Sequence, residues 1–313
     1  LEAREVEDPR PGPRDLLVEV HATSMNPVDF KVRQGGLGMD RQFPFILGYD
    51  VSGVVRGMGD EVQGFSVGDE VYGFPALTRD GANAELLTID ERLVAPKPAS
   101  LDHRTAATLP LVTLTAWEAL FKHARLHHGE TVLIHGGGGG VAHIAIQLAK
   151  DHGAKVIATA GREASIELCK RCGADTVINY REEDFVARVK QITGQQGCPV
   201  VFETVGGENL KRSIACVSVH GRLVSILGAP QDAPVSDLFI KNASLHFEFL
   251  GAASMFGVGM EAQGETLRTV TEYVEAGKLS PHVSQTYPLD DLAEAHRQQE
   301  TGHTLGKLAI AVR

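Results

Sequence analysis

A run of five glycines after a short apolar segment is the stretch of this sequence best suited to bind a phosphate. Residues 131–134 predict a buried strand, and the apolar residues from Val141 onward recur at helical spacing. Glycines let a backbone approach a phosphate, and a helix N-terminus offers unpaired N–H groups with partial positive charge. The spacing Gly137-x-Gly139-x-x-Ala142 fits the dinucleotide motif G-x-G-x-x-G/A. We therefore expect a dinucleotide pyrophosphate to contact this turn, through the residues Gly137, Gly138, Gly139, Gly140, Val141 and Ala142.

The other interpretation of this run is a flexible glycine-rich linker. Linkers of that kind are not flanked by a buried strand and an apolar helix face, so the sequence favours the phosphate site.

The next predicted strand indicates which dinucleotide would bind. It ends in Ala158-Thr-Ala-Gly-Arg162, about 20 residues beyond the glycines, where an NAD site usually offers a carboxylate to the ribose 2′-hydroxyl. No carboxylate stands there, and Arg162 would attract a 2′-phosphate. The segment therefore predicts NADPH, with Thr159 and Arg162 as contacts. Glu163 follows directly, which leaves the use of NADH open.

Composition limits the function classes. The chain has 313 residues, 43% of them hydrophobic, which predicts two domains with cores of their own. The net charge of −10 argues against binding nucleic acid or an anionic membrane. The chain starts at Leu1 without an initiator methionine, so a preceding segment is expected. No signal-peptide h-region and no apolar run of spanning length is present, and we expect a cytoplasmic protein.

The cysteines indicate a reducing compartment rather than a redox or metal site. Cys169-x-x-Cys172 lies in a helical pattern that ends at Gly173, and no second pair of this spacing accompanies it. We therefore predict a structural role for both thiols.

The pattern of apolar residues and turns differs between the two parts of the chain. Short valine-rich segments separated by glycine turns predict a small β-barrel in the first hundred residues. From about Thr105, apolar runs alternate with helical patterns, which predicts a doubly wound parallel sheet. The predicted domains are 1–106, the barrel; 107–252, the dinucleotide-binding domain; and 253–313, a segment that returns to the first domain. The expected strands are 16–22, 50–55, 67–73, 84–89, 131–134, 155–160, 176–178, 199–202, 222–227, 245–251 and 307–312, and the expected helices include 117–126, 266–277 and 290–300.

Four segments, in order along the chain, resemble the medium-chain dehydrogenase/reductase superfamily. They are Asn26-Pro-Val-Asp29, Gly48-Tyr-Asp-Val-Ser-Gly53, Val67-Gly-Asp-Glu-Val-Tyr-Gly73 and Leu114-Thr-Ala-Trp-Glu118. The chain is most similar to the zinc-free quinone oxidoreductases, which are zeta-crystallin-like, and to their enone-reducing relatives. This resemblance implies an α/β fold, with a Rossmann doubly wound parallel sheet and a GroES-like small β-barrel catalytic domain.

Two positions depart from the zinc alcohol dehydrogenases of that superfamily. Asn26 stands where those enzymes have a cysteine, and Tyr49-Asp50 where they have a His-Glu pair. Asparagine and tyrosine do not replace thiolate and imidazole as zinc ligands. The four-cysteine structural zinc lobe is absent as well, since no cysteine precedes Cys169. We therefore expect no metal.

The resemblance also suggests roles for individual residues. It implies that Tyr180 lies beside the adenosine 2′-phosphate, and Ser165 stands where that group often has a lysine. Near the nicotinamide it places Thr115 and the strand-end residues Val205, Leu227 and Gly228. It further implies a homodimer formed through the edge strand 245–251, for which a covered edge is the alternative.

The expected reaction is hydride transfer from NADPH, bound between barrel and sheet, to a quinone or an α,β-unsaturated carbonyl compound. Asn26, Lys31 and Tyr49 are the candidate hydrogen-bond donors to the carbonyl oxygen, and Lys31 or Tyr49 could supply a proton. Taken singly, such residues are more often turn or salt-bridge residues. Three alternatives stay open: a zinc alcohol dehydrogenase, an enoyl-thioester reductase and a non-catalytic NADPH-binding protein.

Overall fold

The structure is a computed structural model that describes residues 1–36 and 44–313. The strands are β1 (Asp15–Ser24), β2 (Val51–Met58), β3 (Glu70–Gly73), β4 (Leu86–Asp90), β5 (Val94–Pro96), β6 (Thr131–Ile134), β7 (Lys155–Ala160), β8 (Thr176–Asn179), β9 (Cys198–Glu203), β10 (Val217–Ser225), β11 (Ser244–Phe247), β12 (Val283–Pro288) and β13 (Lys307–Ala311). The helices are α1 (Pro27–Arg33), α2 (His103–Ala106), α3 (Pro110–Trp117), α4 (Gly140–Asp151), α5 (Glu163–Arg171), α6 (Phe185–Ile192), α7 (Gly207–Ile214), α8 (Ser236–Ile240), α9 (Ala252–Phe256), α10 (Met260–Glu275) and α11 (Leu292–Glu300).

Two compact units make up the chain. One consists of Leu1–Leu114 together with Leu250–Arg313, and the other of Thr115–Phe249. The sequence places these limits at 106/107 and 252/253, eight and three residues away. The C-terminal segment belongs to the first unit because β13 pairs with β1, Ser24 opposite Ala309.

The first unit contains a mixed seven-stranded sheet, with the order β12-β13-β1-β2-β3-β5 and with β4 paired to β1. Side chains along β1 alternate between buried and partly exposed positions; Leu16, Val18 and Val20 are fully buried. That period of two lets β1 line a core on one face while it pairs with three neighbouring strands.

The second unit contains a six-stranded sheet, with the order β11-β10-β9-β6-β7-β8, in which all pairs are parallel. Val132, Leu133 and Ile134 are fully buried, as is usual for a strand covered by helices on both faces. The strand order reverses at β6, between β7 and β9, which is where open α/β sheets bind their ligands. The predicted Rossmann sheet is therefore confirmed.

One helix differs from its prediction. The sequence suggests a helix over 117–126, but α3 begins at Pro110 and continues into a π-helical turn, Glu118–His123. Leu109, Val112 and Leu114 are buried on different sides of this segment, so its apolar residues show no one-sided period. The end strand is also shorter than predicted, since β11 stops at Phe247.

None of the helices in the described part of the chain combines the length and the apolar character that a membrane span requires.

Candidate functional site

The glycine turn joins the end of β6 to the start of α4, as predicted. Gly136 has φ +64°, a conformation that favours glycine, and Gly139 is the N-cap of α4. The Gly137 N–H donates to the Thr159 carbonyl at 2.8 Å, which attaches the turn to the end of β7. Ala142 is 1% exposed, so its methyl group is accommodated inside the fold. The first N–H groups of α4 therefore lie at the carboxyl edge of the sheet.

Two of these glycines are required by packing as well as by any phosphate. A β-carbon on Gly137 would stand 2.4 Å from Cys169 Sγ, and one on Gly138 would stand 2.6 Å from Ser165 Cβ and Oγ. Cys169 and Ser165 project from α5 and are buried. A β-carbon on Gly139 would meet only the Gly136 carbonyl oxygen, at 3.2 Å. The need for glycine at 137 and 138 therefore comes from the close approach of α5.

The cysteine pair takes part in this packing. Cys169 and Cys172 are free thiols, and burial raises the pKa of Cys169 to about 12 and that of Cys172 to about 11. Thiols that stay protonated near neutral pH are poor nucleophiles and poor metal ligands. The predicted structural role suits these properties.

The carboxyl ends of β7 and β8 bring Tyr180, Gly161 and Arg162 together. A β-carbon on Gly161 would lie 2.4 Å from Tyr180 Cζ, so the ring covers this glycine. Tyr180 is nevertheless 52% exposed, and Arg162 is the N-cap of α5. Arg162 makes no ion pair with any residue in 1–36 or 44–313. An exposed aromatic ring thus covers the residue that precedes Arg162, and the Arg162 guanidinium has no acidic partner among the described residues.

Thr159 is placed differently from a residue that faces a ligand. It is 3% exposed, and its hydroxyl oxygen lies 3.3 Å from the Gly136 nitrogen and 3.1 Å from His135 Nδ1. The Thr159 side chain therefore stabilises the glycine turn from the buried side. This support is local, since both partners belong to the segment that follows β6.

A buried polar network under the strand ends was not predicted from the sequence. His135 Nε2 lies 3.0 Å from Ser213 Oγ, which donates to Glu203 Oε2 at 2.7 Å. Glu203 also accepts from the Val205 and Gly206 N–H groups at 2.6 and 3.0 Å. Burial lowers the pKa of His135 to about 4, so the imidazole is neutral. A histidine and a glutamate at the ends of two buried strands were the available sequence signal.

This network fixes the turns after β6 and β9 relative to each other. The Thr204 hydroxyl donates to the His135 carbonyl at 2.8 Å. Val205 is 53% exposed, and a β-carbon on Gly206 would lie 2.7 Å from Leu227 Cδ1. Gly206, which follows Val205, therefore lies against Leu227, and Gly228 is open, since nothing lies within 4 Å of its β-carbon position. Thr115, in α3, is 6% exposed.

A second buried network occupies the first unit, around Asn26 and Asp50. The Asn26 amide donates to Asp50 Oδ2 at 2.7 Å, and its carbonyl oxygen accepts from Lys307 Nζ at 2.5 Å. Lys307 Nζ also donates to the Met25 carbonyl at 2.8 Å and lies 3.3 Å from Asp50 Oδ2. Asp50 accepts in addition from Ser24 Oγ at 2.5 Å. Lys307 is the residue of this network that sequence reasoning missed.

Asp29 lies next to this network and caps α1. Its carboxylate accepts from the Asn26 N–H at 2.8 Å and from the Gly48 N–H at 3.1 Å. Complete burial, with the charge of Asp50 nearby, raises the pKa of Asp29 to about 7. The carboxyl group therefore titrates near neutral pH.

The three predicted donors differ in exposure. Asn26 is 1% and Tyr49 0% exposed, whereas Lys31, on α1, is half-buried. Burial lowers the pKa of Lys31 below its usual value. Lys31 forms no hydrogen bond or ion pair with the described residues, so its ammonium group is the most accessible of the three.

Comparison with known proteins assigns the family. Residues 12–99 match the alcohol dehydrogenase GroES-like domain, and residues 172–310 match the zinc-binding dehydrogenase family. The chain is 32% identical to rat quinone oxidoreductase over 96% of this chain and 89% of the relative.

Solved structures agree over nearly the full length. An alcohol dehydrogenase superfamily protein from Novosphingobium aromaticivorans is 36% identical with a TM-score of 0.93, over 99% of this chain and 95% of that one. Escherichia coli quinone oxidoreductase, solved in complex with NADPH, is 31% identical with a TM-score of 0.88, over 98% and 94%. The chain therefore belongs to the medium-chain dehydrogenase/reductase superfamily, with quinone oxidoreductases among its relatives, and is an NAD(P)-dependent oxidoreductase.

Proposed function

We propose that the protein is an NADPH-dependent, zinc-independent reductase that transfers hydride to a quinone or an α,β-unsaturated carbonyl compound. The observation that carries the cofactor choice is the end of β7, where Arg162 has no acidic partner among the described residues and the exposed Tyr180 ring covers the adjacent Gly161. Guanidinium groups bind phosphate through two parallel hydrogen bonds, and exposed rings stack on flat groups. No carboxylate ends β7, so an NAD ribose would lack its usual partner.

The residues present would hold this cofactor with little rearrangement. The N–H groups at the start of α4, around Gly139 and Gly140, would receive the pyrophosphate. Arg162 would receive the 2′-phosphate. When bound, NADPH supplies a hydride. The neighbouring quinone oxidoreductase from Escherichia coli was solved with NADPH, which supports the same cofactor here.

Zinc does not fit at the position that the family name suggests. Asn26 offers an amide, both ends of which are occupied by Asp50 and Lys307. The Lys307 ammonium group, 2% exposed, lies within 3.3 Å of Asp50 Oδ2. A divalent cation here would face a buried positive charge and would have no thiolate or imidazole from Asn26 or Tyr49. We therefore derive no step through a metal at this site.

Lys31 is the donor that this arrangement supports best. Negative charge grows on the carbonyl oxygen of the acceptor as hydride arrives, and an ammonium group would stabilise it. A lysine whose pKa is lowered by burial is also a better proton donor near neutral pH. In this proposal Asn26 and Asp29 hold α1, and with it Lys31, in place. Tyr49 remains a proposed donor from the adjoining segment.

We further propose a cytoplasmic homodimer that forms through the edge strand. β11 ends the six-stranded sheet, and Phe247 and Phe249, at and just beyond its end, are 50% and 42% exposed. An exposed edge with apolar side chains is suited to pairing with a second copy. The small-molecule acceptor of the enzyme would be a quinone or carbonyl compound, and neither nucleic acid nor a membrane would be a partner.

The test of cofactor choice is Arg162→Ala. Loss of a charge-assisted pair worth about 1.5–3 kcal/mol would raise KM for NADPH about 10- to 100-fold and leave KM for NADH almost unchanged. Arg171→Ala, at the opposite end of α5 and about 13 Å away along the helix, is the matched control and should alter neither constant. Equal effects of Arg162→Ala on both cofactors would show that the 2′-phosphate is held elsewhere.

The test of the reaction is NADPH oxidation, followed by absorbance, with quinones, enones, aldehydes and an enoyl thioester. Turnover of quinones or enones by metal-free protein supports the proposal. Turnover of the thioester alone would favour the enoyl-thioester reductase. NADPH binding without turnover of any acceptor would favour a binding protein, and a requirement for zinc in protein that stays folded without metal would favour the alcohol dehydrogenase.

A further inference from the structure

We infer that the second unit contains a binding site for one divalent transition-metal ion, formed by Glu118, His123 and Glu248. The first two residues begin and end the π-helical turn, and the third follows β11. The candidate ligand atoms of the three residues lie within 4.8 Å of one another. The three belong to one compact unit and are separate from the Asn26 network.

The spacing of these atoms is close to that of the ligands of a bound ion. Zinc binds imidazole nitrogen and carboxylate oxygen at roughly 2.0–2.2 Å, so ligands of one tetrahedral ion stand roughly 3.4 Å apart. His123 Nε2 and Glu248 Oε2 are 2.8 Å apart, and a carboxylate oxygen of Glu118 lies within 4.8 Å of the ligand atoms of both. Around an ion, His123 and Glu248 would move slightly apart and Glu118 would move in.

The buried carboxylate is the observation that points to a ligand. The side chain of Glu248 is 2% exposed, and its Oε1 has no hydrogen-bond partner among the described residues. A buried carboxylate oxygen without a partner is costly unless a proton or a cation satisfies it. Its second oxygen contacts His123, which directs the carboxylate into the cluster.

The surrounding charges favour a cation. Glu118 and Glu248 place two carboxylates within 4.8 Å of one another. Lys122, on the same turn, pairs with Glu118, and the His123 ring nitrogen that faces Glu248 offers a lone pair in its neutral form. His246, whose ring centroid is 5.9 Å from that of His123, is the other titratable neighbour. Two carboxylates and a neutral imidazole are a usual ligand set for zinc, manganese or iron(II).

The ligands project from backbone that is already fixed. The Glu248 N–H donates to the Ser225 carbonyl at 2.9 Å, which continues the pairing of β11 with β10. The Ala124 N–H donates to the Ala119 carbonyl at 2.9 Å, which holds the π-helical turn. An ion here would link the turn to the edge strand and stabilise the unit. Lys122 pairs with Glu118 at 2.5 Å and would compete with the ion.

The test uses the full chain, freed of metal with a chelator and dialysed. Titration with Co²⁺ should produce a visible d–d absorption band that saturates at one ion per chain, and Zn²⁺ should displace it. Zn²⁺ should also raise Tm. Glu248→Gln and His123→Ala should each weaken Zn²⁺ binding by more than about 100-fold. Glu118→Gln, a conservative change at a partly buried position, gives a second way to remove a ligand if the other variants fail to fold.

Lys122→Ala is the matched variant, because it removes the competing ammonium group and no ligand. It should bind Zn²⁺ at least as tightly as the wild type. Absence of a Co²⁺ band, or unchanged Zn²⁺ affinity in folded Glu118→Gln, would overturn the site. These measurements need neither cofactor nor acceptor, so they are independent of the proposed reductase activity.

Discussion

Substitution of Gly137 by alanine separates the two reasons for a glycine-rich turn. The φ of Gly137 lies outside the left-handed region, so alanine meets no backbone strain there. Its methyl group would stand 2.4 Å from Cys169 Sγ, whereas nonbonded atoms settle at roughly 3.5–4.0 Å. Cys169 is 0% exposed, so α5 would have to retreat by roughly 1 Å. We expect destabilisation of about 2–3 kcal/mol, the upper part of the range for an overpacked core.

The double variant Gly137→Ala, Cys169→Ala tests this directly. Without Sγ, the nearest atoms to the new methyl group are Ala158 Cβ and the Thr159 carbonyl oxygen, both at 3.3 Å. Cys169→Ala alone should cost about 1 kcal/mol for the deleted buried atom. The double variant should be no less stable than that, which gives a coupling energy of about 2 kcal/mol.

Guanidinium denaturation of the four proteins measures the coupling, and NADPH titration measures the cofactor site. Gly139→Ala is the control, since its β-carbon would meet only one atom, at 3.2 Å. It should cost within about 1 kcal/mol. If Gly137 serves packing, the double variant binds NADPH more tightly than Gly137→Ala alone. Gly139→Ala, at the N-cap of α4, instead binds NADPH more weakly than the wild type. A Gly137→Ala protein as stable as the wild type, or one that Cys169→Ala does not restore, would refute the packing argument.

Substitutions at Lys307 and at His296 test two buried titratable groups of the first unit by chemical denaturation at several pH values. Lys307→Met should destabilise the protein by about 3–5 kcal/mol, because it leaves the Asp50 carboxylate buried without its cation. Adding Asp50→Asn should restore part of this loss. A cost of Lys307→Met below about 1 kcal/mol would contradict the argument. His296 is buried, with no hydrogen bond from either ring nitrogen to a described residue, and burial lowers its pKa to about 4. Between pH 6.5 and 4 the unfolded chain binds a proton at His296 that the folded chain does not, so the free energy of unfolding falls as the pH falls. His296→Phe should remove up to roughly 3 kcal/mol of this pH dependence. An unchanged dependence of the unfolding free energy on pH would refute the argument.

Local pattern was sufficient for the cofactor half of the fold. The strand, glycine turn and helix over 131–151, the alternation that follows, and the basic end of β7 are all set by neighbours in sequence. Arg162 and Tyr180, predicted separately, lie on either side of Gly161 because β7 and β8 are paired in parallel. Periodicity failed at α3, where apolar residues surround the helix and leave no polar face to mark its start.

The sequence alone determined which residues have suitable chemistry: glycines before a helix, an arginine where a carboxylate is usual, and asparagine and tyrosine in place of zinc ligands. Only the tertiary structure decided their partners. Lys307 reaches Asn26 across 281 residues because β13 pairs with β1, and Glu248 reaches His123 across 125 residues because β11 ends the sheet beside the π-helical turn. Burial shifts the pKa values of the groups in these contacts, because desolvation acts on a group only when the folded chain surrounds it. The physical reason is that propensity and period act over a few residues, whereas buried charges are matched between segments that meet only in the folded chain.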